Sequence, residues 1–306
     1  MKHCYKIEKV INQSYSGVML REFLKKEIRV SRRALSAIKY KGGKLLIDGE
    51  ERTVRHILKA GERLTIVFPP EAHSAFLKSE EQPLAIVYED HELLVVNKPA
   101  GIPVIPSHQY PQGTLANFLL AYFEKQNLAS TVHIINRLDR NTSGLMLVAK
   151  NRFSHERFFK MQKNKEVHRR YLTFVSGEVK NDAGTIDAPI GRREGSVIER
   201  QVDWIDGRRS ITHYQVLKRF PDRTLVLVQL QTGRTHQIRV HFSSIGHPLL
   251  GDDLYGGPME KISRQALHSF ELSFVHPFTD QLIHLHAAYP PDMARLADTS
   301  LVLEKL

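Results

Sequence analysis

Arg137-Leu138-Asp139-Arg140 sets one carboxylate between two guanidinium groups, and the next four residues, Asn141-Thr142-Ser143-Gly144, are turn formers. Strand-like runs flank them: Thr131 to Ile135 leads in and Leu145 to Ala149 leads out. A carboxylate held at a bend between strands can serve a bound ligand as nucleophile or base. The neighbouring cations suit a phosphate backbone. The same residues also describe a solvated ion pair in a surface turn, and locally both readings stand.

Other segments combine rigid turns with chemistry-bearing side chains. Asn97-Lys98-Pro99-Ala100-Gly101 follows an apolar strand-like run. Thr232-Gly233-Arg234-Thr235-His236-Gln237-Ile238-Arg239-Val240-His241 places a glycine turn before a basic helix, and Gly251-Asp252-Asp253-Leu254-Tyr255-Gly256 comes after it. The sixteen histidines invite a metal reading. No His-Glu-x-x-His or cysteine–histidine spacing supports it, so no metal is expected. Nor does any carboxylate cluster suggest a magnesium-dependent phosphate-ester hydrolase.

These segments need a scaffold, and 306 residues allow a large domain plus a small one. No apolar run reaches the ~18 residues of a membrane helix, and residues 1–17 do not read as a signal peptide. The single cysteine, Cys4, excludes an internal disulfide and points to the cytoplasm. The net charge of +11 is uneven: residues 1–70 hold 16 basic and 7 acidic side chains, net +9, and the rest only +2. A basic module on a nearly neutral body suggests a polyanionic partner, most simply nucleic acid. A basic surface kept for solubility is the plainer account.

Within the module, Leu20, Phe23, Leu24 and Ile28 have helical spacing after a Ser16-Gly17 cap. A second helix spans Arg32 to Lys41, capped by Ser31 and ended by Gly42-Gly43. Its polar face carries Arg32, Arg33, Lys39 and Lys41. Strands over Lys44–Ile47 and Arg63–Phe68 complete the unit, and residues 71–83 read as a linker. From residue 84 strand-like runs dominate. Helices are expected after Thr114, from a Ser154 cap to about Lys163, and over Thr235 to Ile245. The expected class is α+β: a mainly antiparallel mixed sheet with flanking helices, plus a small α+β N-terminal domain.

Two resemblances sharpen this reading. Residues 1–70 resemble the alpha-L RNA-binding module through Ser31-Arg32-Arg33, Lys44-Leu45-Leu46-Ile47-Asp48-Gly49 and Leu58-Lys59-Ala60-Gly61-Glu62-Arg63-Leu64. Residues 84 to about 290, in a second domain taken as 84–306, resemble the RluA-type pseudouridine synthases. Four blocks in order carry that likeness: Asn97-Lys98-Pro99-Ala100-Gly101; Arg137-Leu138-Asp139 with Thr142-Ser143-Gly144-Leu145; Arg169-Arg170-Tyr171-Leu172; and Thr232 to His241. Arg264-Gln265, Leu267-His268 and His276-Pro277 extend it. Many members have His where this chain has Asn136, and Asp where it has Asn141.

The resemblance implies isomerisation of uridine within RNA, without cofactor or metal. It makes Asp139 the catalytic carboxylate, either attacking the anomeric carbon or removing the 2′ proton. Arg239 becomes its partner; without the resemblance Arg239 reads better as a phosphate contact from a helix face. Tyr171 becomes the ring against the uracil, though by itself it reads as a core strand residue. Arg137 becomes the side chain that fills the RNA stack when the target nucleotide leaves, and otherwise an ordinary surface arginine. The implied partner is RNA, ribosomal in preference to transfer RNA, and the expected state is a cytoplasmic monomer. A catalytically silent RNA-binding or ribosome-assembly protein on the same fold is the alternative. The acid Asp139, standing with Tyr171 and Arg239, favours the enzyme.

Overall fold

The computed structural model describes residues 3–297; the last residues of the expected C-terminal domain lie outside them. The N-terminal unit contains β1 (Lys6–Val10), α1 (Leu20–Lys26), α2 (Arg32–Tyr40), β2 (Lys44–Ile47), β3 (Glu50–Glu51) and β4 (Arg63–Val67). Its sheet order is β1-β4-β2-β3. Ser31 caps α2 as expected, its hydroxyl accepting from the Ala34 N–H at 3.1 Å. The α1 cap expected at Ser16-Gly17 is not there. Met19 occupies that position without a side-chain cap. The first N–H groups of α1 donate instead to His56 and Val54 carbonyls, so tertiary contacts satisfy what a cap would have. Strand β1 is not among the elements expected from the sequence, because its mostly exposed, charged residues carry no apolar alternation.

The body is built on a ten-stranded sheet. Its elements are β5 (Ile86–Glu89), β6 (Leu93–Lys98), α3 (Leu115–Lys125), β7 (His133–Ile134), β8 (Ser143–Ala149), α4 (Arg152–Lys163) and β9 (His168–Ser176). They continue with β10 (Ala183–Asp187), β11 (Ile190–Arg192), β12 (Arg200–Val202), β13 (Ile211–Arg219), β14 (Arg223–Leu230), α5 (Gln237–Ser244), β15 (Leu267–Val275), β16 (Leu282–His286) and α6 (Pro291–Ala294). The order is β10-β13-β14-β9-β15-β8-β6-β5, with β16 on β15 and β7 on β8. Among the strands of the described residues only β8 and β15 pair in parallel, so the expected mixed, mainly antiparallel α+β architecture is found. β11 and β12 form a separate hairpin.

Alternation along β8 shows why the sheet has helices on both faces. Leu145, Leu147 and Ala149 join a core with Phe158 and Met161 of α4. Met146 and Val148 join another with Leu119 and Phe123 of α3 and Ile238 and Phe242 of α5. A strand buried on both sides reads as a continuous apolar run, as this one does. Glycine is required where β8 meets β15: a Cβ on Gly144 would lie 2.3 Å from the Ser269 carbonyl oxygen, and φ is +112°. Helix α4 begins earlier than expected. Asn151, not Ser154, is its cap, and Ser154 N–H donates to Asn151 Oδ1 at 2.8 Å.

The N-terminal unit and the body share a core. Phe153 of α4 and Phe278 pack with Phe68 and the module's leucines, and Tyr5 donates to Glu92 at 2.7 Å. Residues 71–83 contain no regular element but are tied down. Glu71 accepts from Arg152 N–H, Glu80 accepts from Gly113 N–H, and Asn117 donates to the Lys78 carbonyl. Among the described residues no helix is long and apolar enough to cross a membrane.

Candidate active site

Asp139 sits on the loop joining β7 to β8, at the wall of a cleft of about 680 Å³. The loop is shorter than the flanking turn formers suggest, because Ser143 and Gly144 already belong to β8. Three parts of the chain clamp it. Asn136, buried, accepts from Leu147 N–H at 2.8 Å. On the second side, the Arg140 carbonyl accepts from Gly101 N–H at 2.9 Å and from Lys98 Nζ at 2.9 Å. On the third, Arg264 donates to the Asn141 carbonyl at 3.1 Å and Gln265 to Thr142 at 3.3 Å.

Lys98 is fully buried and also donates to the carbonyls of Pro99 and Ile102. Burial pushes its pKa down to about 7, against the pull of the Asp139 charge. A lysine with three carbonyls around its nitrogen is a bracket for the turn. It holds the Asn-Lys-Pro segment and the Asp139 loop as one unit.

Arg239 projects from α5 toward the loop. Its Nη1 lies 3.3 Å from Asp139 Oδ2. Its Nε and Nη2 make a two-point contact with Asp252, both at 2.7 Å. Asp252 is fully buried. Burial works against the Arg239 charge, but Asp252 and Asp139 outweigh it and raise the pKa above the ordinary arginine value. The bidentate pair fixes the guanidinium plane, and the remaining nitrogen is presented to Asp139.

His236 stands between the glycine turn and α5 in the left-handed region, at φ 58°. A non-glycine residue held there in a cleft reflects a local constraint. Its Nε2 is 3.8 Å from Asp139, and its Nδ1 meets the Tyr255 hydroxyl at 2.8 Å. Burial lowers its pKa, with Asp139 pulling the other way. The Tyr255 ring lies under the Arg239 guanidinium, 4.9 Å away. Asp252 and Tyr255 thus support the two cationic or polar groups facing Asp139. Neither was singled out from the sequence, although the Gly251 to Gly256 segment containing both is compact and glycine-bounded.

The structure brings four sequence-predicted residues to one cleft: Asp139, Tyr171, Arg239 and Arg137. Tyr171 is buried on β9 with one side toward the cleft, and Arg137 is exposed at its rim. Arg32, Arg33, Lys39 and Lys41 are elsewhere, all exposed on or just after α2 of the N-terminal unit. Among the described residues lining the cleft, Asp139 is the only acid, beside six arginines: Arg137, Arg140, Arg169, Arg200, Arg234 and Arg239. Such a cleft accepts a polyanion and offers it one carboxylate. Arg200 and Arg234 are not evident as cleft residues from the sequence, since chain separation hides their convergence.

Residues 92–244 match the model of the RNA pseudouridylate synthase family. The chain belongs to that family. Members isomerise uridine to pseudouridine in RNA. The chain is 48% identical over 270 residues to an uncharacterized RNA pseudouridine synthase of Bacillus subtilis, YjbO, spanning 88% of this chain and 95% of that one. It is 38% identical over 274 residues to the ribosomal large subunit pseudouridine synthase D of Xanthomonas campestris, covering 84% and 81% of the two. Among solved structures, human RNA pseudouridylate synthase domain containing 1 superposes with a TM-score of 0.57 at 27% identity, over 73% of this chain and 89% of that one. The RluA-type likeness read from four sequence blocks therefore stands, and the pseudouridine synthase blocks are those that line or brace the cleft.

Proposed function

We propose that this synthase isomerises specific uridines in structured RNA of the large ribosomal subunit, using Asp139 as its single catalytic carboxylate. The supporting observation is the lone acid in an arginine-lined cleft, oriented by an arginine that is itself fixed by a buried aspartate. In the net reaction the C1′–N1 bond breaks and a C1′–C5 bond forms. The C5 proton is lost, and N1 gains one. No water is consumed, so the second carboxylate that glycosidases generally use to activate water has no task. Asp139 would act on the ribose at C1′ or at the 2′ proton. Tyr171 would stack on the uracil, with its hydroxyl available for the C5 proton. Arg137, at the rim, would enter the stack left by the flipped nucleotide.

Residues 1–70 would anchor the RNA through Arg32, Arg33, Lys39 and Lys41, with residues 84–306 as the catalytic domain. The ribosomal preference rests on that basic unit and on relatives named for the large ribosomal subunit. The enzyme would work as a cytoplasmic monomer without cofactor or catalytic metal. The test is to map pseudouridine in total RNA from cells with and without the gene. Loss of a defined large-subunit site, restored by the wild type and not by Asp139→Ala, is expected. Loss confined to transfer RNA would overturn the substrate assignment, and loss nowhere would overturn the activity.

A further inference from the structure

Three strands meet in a polar cluster outside the cleft. The register sets Glu271 of β15 opposite His286 of β16, and Ser273 opposite His284. Residues two apart on a strand share a face, so both imidazoles stand over Glu271. His284 Nε2 is 3.2 Å from Glu271 Oε1, and His286 Nε2 is 3.5 Å from Oε2. One ligand atom from each of the three lies within 4.8 Å of the other two. In a tetrahedral site with ~2.0–2.1 Å bonds, neighbouring ligand atoms are about 3.3–3.4 Å apart; each imidazole stands near that distance from one oxygen of Glu271, His284 from Oε1 and His286 from Oε2.

We propose that Glu271, His284 and His286 form a binding site for a divalent transition-metal ion of the zinc type, with water completing its coordination. Two imidazoles and a carboxylate match the preference of zinc for nitrogen and oxygen donors. The carboxylate is mostly buried and the imidazoles are half-exposed, so the ion has a fixed base and an open entrance. Arg170 of β9 donates to Glu271 Oε2 at 3.2 Å and competes for that oxygen. Its side chain is 47% exposed and free to swing into solvent as an ion enters. The sequence carried the signal as His284-x-His286, a spacing that means little until a strand aligns it. The site is separate from catalysis: Arg170 points away from the face of β9 on which Arg169 and Tyr171 line the cleft. An ion here would tie β16 to β15, the strand paired with β9.

The test is calorimetric titration of zinc chloride into the metal-stripped full-length chain, repeated with cobalt(II) followed by visible absorption. One ion per chain is expected, released by an excess of a chelator. His284→Ala and His286→Ala should each weaken binding roughly tenfold or more. Both side chains are exposed, so circular dichroism should show the variants folded. Absence of saturable binding, or one-ion binding unchanged in the His284→Ala, His286→Ala double variant, would overturn the proposal.

Discussion

The position of Asp139 is defined by groups that never touch RNA on this account. Arg239 faces it, but Asp252 decides where Arg239 points. Removing Asp252 leaves a buried guanidinium short of two acceptors, a loss that costs roughly 3–5 kcal/mol. We expect Asp252→Ala to unfold at lower denaturant and to lower kcat about 10²-fold, because a small misplacement at the reacting centre is enough. Denaturant titration and single-turnover kinetics would check both; full activity would show that Arg239 needs no support. Tyr171→Phe separates stacking from proton transfer. With the ring kept, RNA affinity should hold while the rate falls roughly 10²-fold or more. An unchanged rate would remove the hydroxyl from the chemistry. Asp139, Tyr171 and Arg239 were readable in sequence because their blocks are local. Asp252 and His236 were not, since their roles depend on a contact to α5 and on a left-handed backbone that residue order does not display.

At the scale of elements, strong apolar runs such as β6 and β8 were legible, and so was α2 with its serine cap. The charged edge strand β1 was not, because its pairing with β4 owes nothing to alternation. The α1 and α4 starts were misplaced for a common reason. One is closed by carbonyls from a distant loop, and the other by an asparagine one turn before the expected serine. The β5–β6 turn carries a pH-sensitive contact. Asp90 accepts from the N–H groups of Glu92 and Leu93 and lies 3.1 Å from His276. Burial would raise its pKa, but these partners prevail and hold it at about 2. A carboxylate depressed in the folded state stabilises above its unfolded value, near 3.8. That stability is lost as pH falls toward 2. Urea midpoints measured from pH 5 to pH 2 should therefore drop less steeply for Asp90→Asn than for the wild type. Parallel curves would contradict this.

Across the whole molecule, the charge asymmetry visible in sequence corresponds to a separate basic unit, but not to a loosely tethered one. Phe68 and Phe153 pack as tilted rings, centroids 5.0 Å apart, across the junction, and residues 71–83 are pinned to the body. Deleting the unit would expose that shared core, so charge removal is the cleaner test of its role. Replacing Arg32, Arg33, Lys39 and Lys41 with glutamine should weaken RNA binding and flatten its dependence on salt, since each lost phosphate contact releases fewer counterions. Filter binding across a salt series would show it. Equal affinity and slope would make the N-terminal charge incidental to RNA.

In the proposed reaction one carboxylate, Asp139, carries the isomerisation. The most direct measurement compares wild type and Asp139→Ala, purified, on the same large-subunit RNA. Both RNA affinity and pseudouridine yield per enzyme would be followed in time. Affinity within a few-fold of wild type and a rate reduced roughly 10³-fold or more are expected. Pseudouridine formed by Asp139→Ala at close to the wild-type rate, with RNA still bound, would contradict that role for Asp139.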